Sequence, residues 1–122
     1  LVVEDEEGLR HVAEGMLRWA GYTVLTASNG GEALQWLERH DGPVHLMLTD
    51  VVMPGISGRE LAARVAEARP DIKVLYMSGY TDDAILRHGV LDSTTHFVAK
   101  PYSLQELTSK VREVLDTPAP PV

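Results

Sequence analysis

Five side chains in this 122-residue sequence stand where chemistry could be done: Glu4, Asp5, Asp50, Ser78 and Lys100. Each follows a short apolar run: "LVV" before Glu4 and Asp5, "HLMLT" before Asp50, "KVLYM" before Ser78, "HFVA" before Lys100. Gathered in one place, three carboxylates would repel one another. Two carboxylates about 5 Å apart cost roughly 3 kcal/mol at an effective dielectric of about 20. A divalent cation removes that penalty, and an oxygen-only ligand set suits Mg²⁺, with Mn²⁺ as a substitute. Taken singly, each residue has an ordinary alternative. Asp50 could be a turn or cap aspartate, Glu4 and Asp5 a solvated loop, Ser78 a turn hydroxyl and Lys100 a surface lysine.

The elements that must bring these residues together are legible as an alternation. The four runs above, with "TVLTA" at 23–27, are short, apolar and bounded by turn residues, as buried parallel strands are. Between them the apolar residues follow a helical period. Leu9, Val12, Ala13, Met16, Leu17 and Ala20 mark a first helix, stopped by Gly21. Ala33, Leu34 and Leu37 mark a second, and Leu61, Ala62, Val65 and Ala66 a third that ends before Pro70. "TDDAILRHG" at 81–89 reads as a short fourth, capped by Thr81 and closed by Gly89. Leu104, Leu107, Val111, Val114 and Leu115 mark a fifth, with Ser103 as its N-cap. Such alternation gives an α/β fold, a parallel sheet with helices on both faces. Ligands of open parallel sheets bind outside the carboxyl ends of the strands, which is where all five residues lie.

Bulk properties narrow the function classes. The length suits one domain over 1–116, and the Pro-rich "TPAPPV" that closes the chain reads as a tail or linker over 117–122. The chain opens almost inside its first strand, so a few residues are expected to precede Leu1. With no cysteine there is neither a disulfide nor a thiolate metal site. The net charge of −7 argues against direct nucleic-acid binding, which needs Lys and Arg clusters. The sequence carries neither a membrane-spanning apolar run nor a signal-peptide pattern, which leads to an expectation of a cytoplasmic protein without membrane contact. His11, His40, His45, His88 and His96 have no metal-binding spacing and read as structural or surface residues. Trp19 and Trp36 read as packing residues.

The joint pattern resembles the receiver domain of bacterial response regulators over essentially the whole chain. It comprises an acidic pair after the first strand, "DVVMPG" after the third, Ser78-Gly79 after the fourth and Lys100-Pro101 after the fifth. "GISGREL", "YMSGYTDDAI" and "HGVLD" look most like receivers attached to hybrid histidine kinases. The resemblance implies a flavodoxin-like (βα)5 doubly wound three-layer sandwich with strand order 2-1-3-4-5. It makes Asp50 the phosphoacceptor. Asp5, Asp50 and the Val52 backbone carbonyl become the Mg²⁺ ligands, with Glu4, where many receivers have Asp, acting through a water.

Lys100 is then expected to pair with Asp50 and afterwards with phosphoryl oxygens, across a cis Lys100–Pro101 bond. The Ser78 hydroxyl and the Gly79 N–H would bind the phosphoryl group. Phe97 takes the aromatic switch position, turning inward as Ser78 moves. It lacks the hydroxyl of the Tyr often found there, and Tyr102 looks like a surface residue. Val52 and Tyr80 occupy positions that tune water access, and their bulk suggests slow self-dephosphorylation.

The implied function is a signalling switch that catalyses its own aspartyl phosphorylation and dephosphorylation. The donor is a phosphohistidine of a histidine kinase or phosphotransfer domain, in trans or in the same chain. The output surface is formed by the fourth helix, fifth strand and fifth helix. Three alternatives compete. A degenerate receiver that only binds partners would not need the complete acid, hydroxyl and lysine set. An aspartyl-nucleophile phosphatase would want a second acid where Val52 stands. A flavodoxin-like cofactor module would want a phosphate loop where Glu4 and Asp5 stand. Kinase, stimulus, output and oligomeric state carry no signal in the sequence.

Overall fold

The computed structural model describes residues 1–78 and 96–117. Gly79, Tyr80, the expected fourth helix at 81–89, His88 and residues 118–122 lie outside the described residues. Five strands are present: β1 (Val2–Val3), β2 (Thr26–Ala27), β3 (Leu46–Asp50), β4 (Lys73–Ser78) and β5 (Phe97–Ala99). Among the described residues four helices accompany them: α1 (Glu7–Trp19), α2 (Gly30–Arg39), α3 (Gly58–Ala68) and α4 (Leu104–Asp116). All strand pairs are parallel, in the order β2-β1-β3-β4-β5.

Side chains alternate across a strand, and the sheet uses this to build two cores. Val2 joins Leu48, Leu75, Met77 and Val98 beneath α1 and α4, against Ala13, Leu17, Leu107, Val111 and Val114. Val3 joins Met47 on the opposite face, against Ala33, Leu37, Leu61 and Val65 of α2 and α3. The result is the three-layer sandwich with the expected strand order.

The helix ends follow local chemistry. Asn29, Ser57 and Ser103 cap α2, α3 and α4 by accepting from the backbone N–H three residues on. Ser103 and Glu106 complete a reciprocal capping box. At the end of α1, Gly21 has φ +98°, where an L side chain is strained. Gly21 N–H donates to Arg18 O and Tyr22 N–H to Leu17 O, closing the helix in a Schellman motif.

The structure corrects the sequence reading in several places. β2 is two residues rather than the five of "TVLTA", because β1 offers only Val2 and Val3 as paired neighbours. In α1 only Ala13 and Leu17 of the apolar stripe are buried, whereas Leu9 and Val12 are exposed. Trp19 is 77% exposed and so is not a packing residue, whereas Trp36 is 40% exposed. Isolated exposed apolar side chains are ordinary, and helical periodicity cannot say how far a face is covered. Tyr102, expected at the surface, packs against the first core, with its hydroxyl 3.5 Å from Met77 Sδ.

Candidate functional site

Strand register assembles the site before any side chain is considered. Val3 pairs with Thr49, so the next residues, Glu4 and Asp50, come side by side. Asp50 pairs with Met77, and Ser78 with Ala99, so Ser78 and Lys100 fall within one step of the same line across the sheet. A backbone bond from Lys100 N–H to Ser78 O, 2.8 Å long, fixes the last two strands at that line.

Alternation then separates the adjacent acids. Glu4 is 2% exposed and Asp50 is 5% exposed, whereas Asp5 turns to solvent. One carboxylate oxygen from each of Glu4, Asp5 and Asp50 lies within 4.8 Å of the others. Lys100 Nζ bridges the buried two, 2.9 Å from Glu4 Oε2 and 2.5 Å from Asp50 Oδ1. The Glu6 N–H donates to Glu4 Oε1 (3.2 Å), and Arg10 Nη1 donates to the Glu4 backbone carbonyl (2.9 Å), tying α1 to the end of β1. The Lys100–Pro101 peptide bond is cis.

Charge explains the protonation of this cluster. Two buried carboxylates face one ammonium, which leaves one negative charge in excess. Burial, then the hydrogen bond to Glu4, pushes the Asp50 carboxyl up to about 8, against the pull of Lys100. Burial works against the ionised form of Glu4 as well, but its bonds to Asp50, Lys100 and the Glu6 N–H hold it below the usual range. For Lys100 the burial effect, which would lower its pKa, is overcome by its bonds to Asp50 and Glu4, so it stays charged. The raised Asp50 pKa favours a protonated carboxyl at neutral pH, with Lys100 paired to both acids.

An excess of negative charge on an oxygen-only donor set fits a hard divalent cation. Among the described residues no histidine joins this cluster. Phe97, at the start of β5, is 42% exposed, so its ring is not in the core. Val52 lies in the loop after β3 and is 53% exposed.

Sequence reading missed two contacts, Lys100 with Glu4 and Arg10 with the Glu4 carbonyl. Spacing shows that Arg10 sits in the first turns of a helix, but not that its side chain turns back to the strand end. The Lys100–Glu4 pair spans 96 positions and follows only once the strand order is known.

A doubly wound parallel sheet in the order β2-β1-β3-β4-β5, with buried acids and a lysine at its carboxyl edge, defines a flavodoxin-like α/β domain. The family model for the response regulator receiver domain matches residues 1–112, and the chain belongs to that family. It is 40% identical over 116 residues to the sensor kinase CckA of Brucella abortus, covering 95% of this chain and 12% of that protein. It is 32% identical to the response regulator receiver protein CpdR of the same organism, covering 94% of each. Among solved structures, the receiver domain of the hybrid histidine kinase CckA superposes with a TM-score of 0.78 at 31% identity, covering 94% of this chain and 96% of that one. The response regulator TrrA of Thermotoga maritima, solved in complex with Mg²⁺-BeF, gives a TM-score of 0.74 at 32% identity, covering 93% and 95%.

Proposed function

We propose that this domain, residues 1–116 with 117–122 as a tail or linker, is the phosphoacceptor of a two-component phosphorelay and that Asp50 receives the phosphoryl group. The observation that carries this reading is the convergence of Glu4, Asp5 and Asp50 with Lys100 Nζ 2.5 Å from Asp50 Oδ1. A deprotonated Asp50 oxygen attacks phosphorus in line. The new O–P bond forms as the P–N bond to the donor histidine breaks, and the electron pair leaves with the imidazole. Asp50 first releases its proton to solvent, and Lys100 balances the resulting carboxylate charge. Lys100 then exchanges its carboxylate partner for phosphoryl oxygens, a task suited to a compact ammonium.

Asp5, Asp50 and the Val52 carbonyl would hold Mg²⁺, with Glu4 acting through a water. When bound, the ion neutralises carboxylate and phosphoryl charge. The Ser78 hydroxyl and Gly79 N–H bind the transferred group. Ser78 and Phe97 then reposition, altering the surface of β5, α4 and the segment before β5, a two-state element biased by added charge. Val52 and Tyr80 slow hydrolysis by limiting water access. The same site thus catalyses phosphorylation and dephosphorylation.

The Mg²⁺-BeF complex of TrrA supports the metal and phosphoryl assignments. The likeness to CckA supports a hybrid-kinase context and a cytoplasmic bacterial setting, with a phosphohistidine partner in the same chain or in trans. Incubation with Mg²⁺ and acetyl phosphate is expected to add one phosphoryl mass, lost in Asp50→Ala. A gain that persists in Asp50→Ala would overturn the assignment.

A further inference from the structure

The loop from Asp50 to α3 closes on itself at a narrow neck. Gly58, the first residue of α3, donates its N–H to Val51 O at 2.9 Å. Its Cα lies against the main chain of Asp50. A methyl built there would overlap the Asp50 carbonyl oxygen and lie 2.9 Å from its carbonyl carbon and 3.2 Å from Val51 Cα. All three of these atoms are backbone, so they cannot swing aside as a side-chain tip does. The same Asp50 carbonyl accepts from Thr49 Oγ1 at 3.1 Å. The peptide plane that carries the Asp50 side chain is thus held between a hydroxyl and a bare glycine. Residues 52–57 loop out from that neck, so widening it moves Asp50 and Val52 together.

We infer that Gly58 is a positioning residue for the phosphoacceptor: its missing side chain lets α3 press on the Asp50 backbone and fixes the Asp50 carboxylate relative to Glu4, Asp5 and Lys100. Gly58 touches no reacting atom and acts through Asp50. This rests on the phosphoacceptor reading above.

The test compares the wild-type 122-residue chain with Gly58→Ala and with Ser57→Ala. The second substitution weakens the same helix start by removing its cap but adds nothing at the neck. Mg²⁺ affinity is read by calorimetry, phosphorylation by acetyl phosphate is read by mass, and folded fraction by circular dichroism. Gly58→Ala is expected to lower Mg²⁺ affinity and the phosphorylation rate at least tenfold per folded molecule. Ser57→Ala should leave both within twofold.

If Gly58→Ala does not fold, it is placed in a Gly15→Ala background. Gly15 lies on exposed α1 with open space around its Cα, and alanine there strengthens the helix away from the site. Loss of folding even there, with Ser57→Ala folded, would show Gly58 to be needed for the fold as a whole and would overturn a positioning role. Equal Mg²⁺ affinity and rate in wild type and Gly58→Ala would overturn the inference alone. A wild type that takes up no phosphoryl group would overturn the phosphoacceptor reading and this inference with it.

Discussion

Replacing Asp50 with asparagine should stabilise the metal-free protein, and by an amount that grows with pH. Asparagine keeps the shape and can still donate to Glu4, but it carries no charge to bury. The folded-state pKa of Asp50 is raised from 3.8 to about 8. Between those values the folded chain holds a proton that the unfolded chain has released. Wild-type stability contributed by this group is therefore fully present below pH 3.8 and falls as pH rises toward 8. Glu4 has the opposite sign. Its pKa is lowered below 4.5, so its contribution is complete above that value and gives no slope at higher pH.

From pH 5 to pH 7 only Asp50 titrates in this pair. The slope limit of 1.36 kcal/mol per pH unit then gives Asp50→Asn an added advantage approaching roughly 3 kcal/mol across that window. Urea unfolding of both proteins at pH 5, 6 and 7, without divalent cations, measures it. Parallel pH curves for the two proteins would refute the buried, proton-sharing description of the site.

Further outcomes follow from the structure. Mg²⁺ should raise the unfolding midpoint of the wild type. Asp5→Asn should weaken Mg²⁺ affinity by about tenfold or more, since a ligand and a charge are lost. Glu7→Gln, on the exposed start of α1, should change that affinity less than twofold, and calorimetry separates the two. Ser103→Ala should cost about 1 kcal/mol in urea unfolding by removing the capping box of α4. Gly15→Ala should add about 1 kcal/mol by the same assay, because the position is helical and open.

Much of this was readable in the sequence because the fold repeats a simple unit. Apolar runs mark strands that are buried on both faces. The doubly wound rule then sends every strand-end residue to one edge, which is why Asp50, Ser78 and Lys100 could be named by position alone. The extent of β2 was not readable, since it depends on how many partners β1 presents. Nor was the exposure of Trp19, because a helix carries its period past the point where a neighbour covers it. The direction of Arg10 and the bridging role of Lys100 depend on side-chain paths through space. The importance of Gly58 was hidden because its chemistry is the absence of atoms.

The two valines of β1 have one more consequence. Val2 feeds one core and Val3 the other, and they are the same residue. A slip that put Leu1 and Val2 in the places of Val2 and Val3 would still fill both cores with apolar side chains, so apolar burial discriminates only weakly against that threading. The acids discriminate more strongly. In the correct threading Glu4 reaches Lys100 and the Glu4 backbone meets Arg10 and Ala27, whereas that slip would bring Val3 to the lysine and leave its ammonium without this partner. The charged cluster is thus a proofreader of the sheet as well as a site for chemistry. Substitutions that disarm it are expected to loosen the alignment of the strand that carries it.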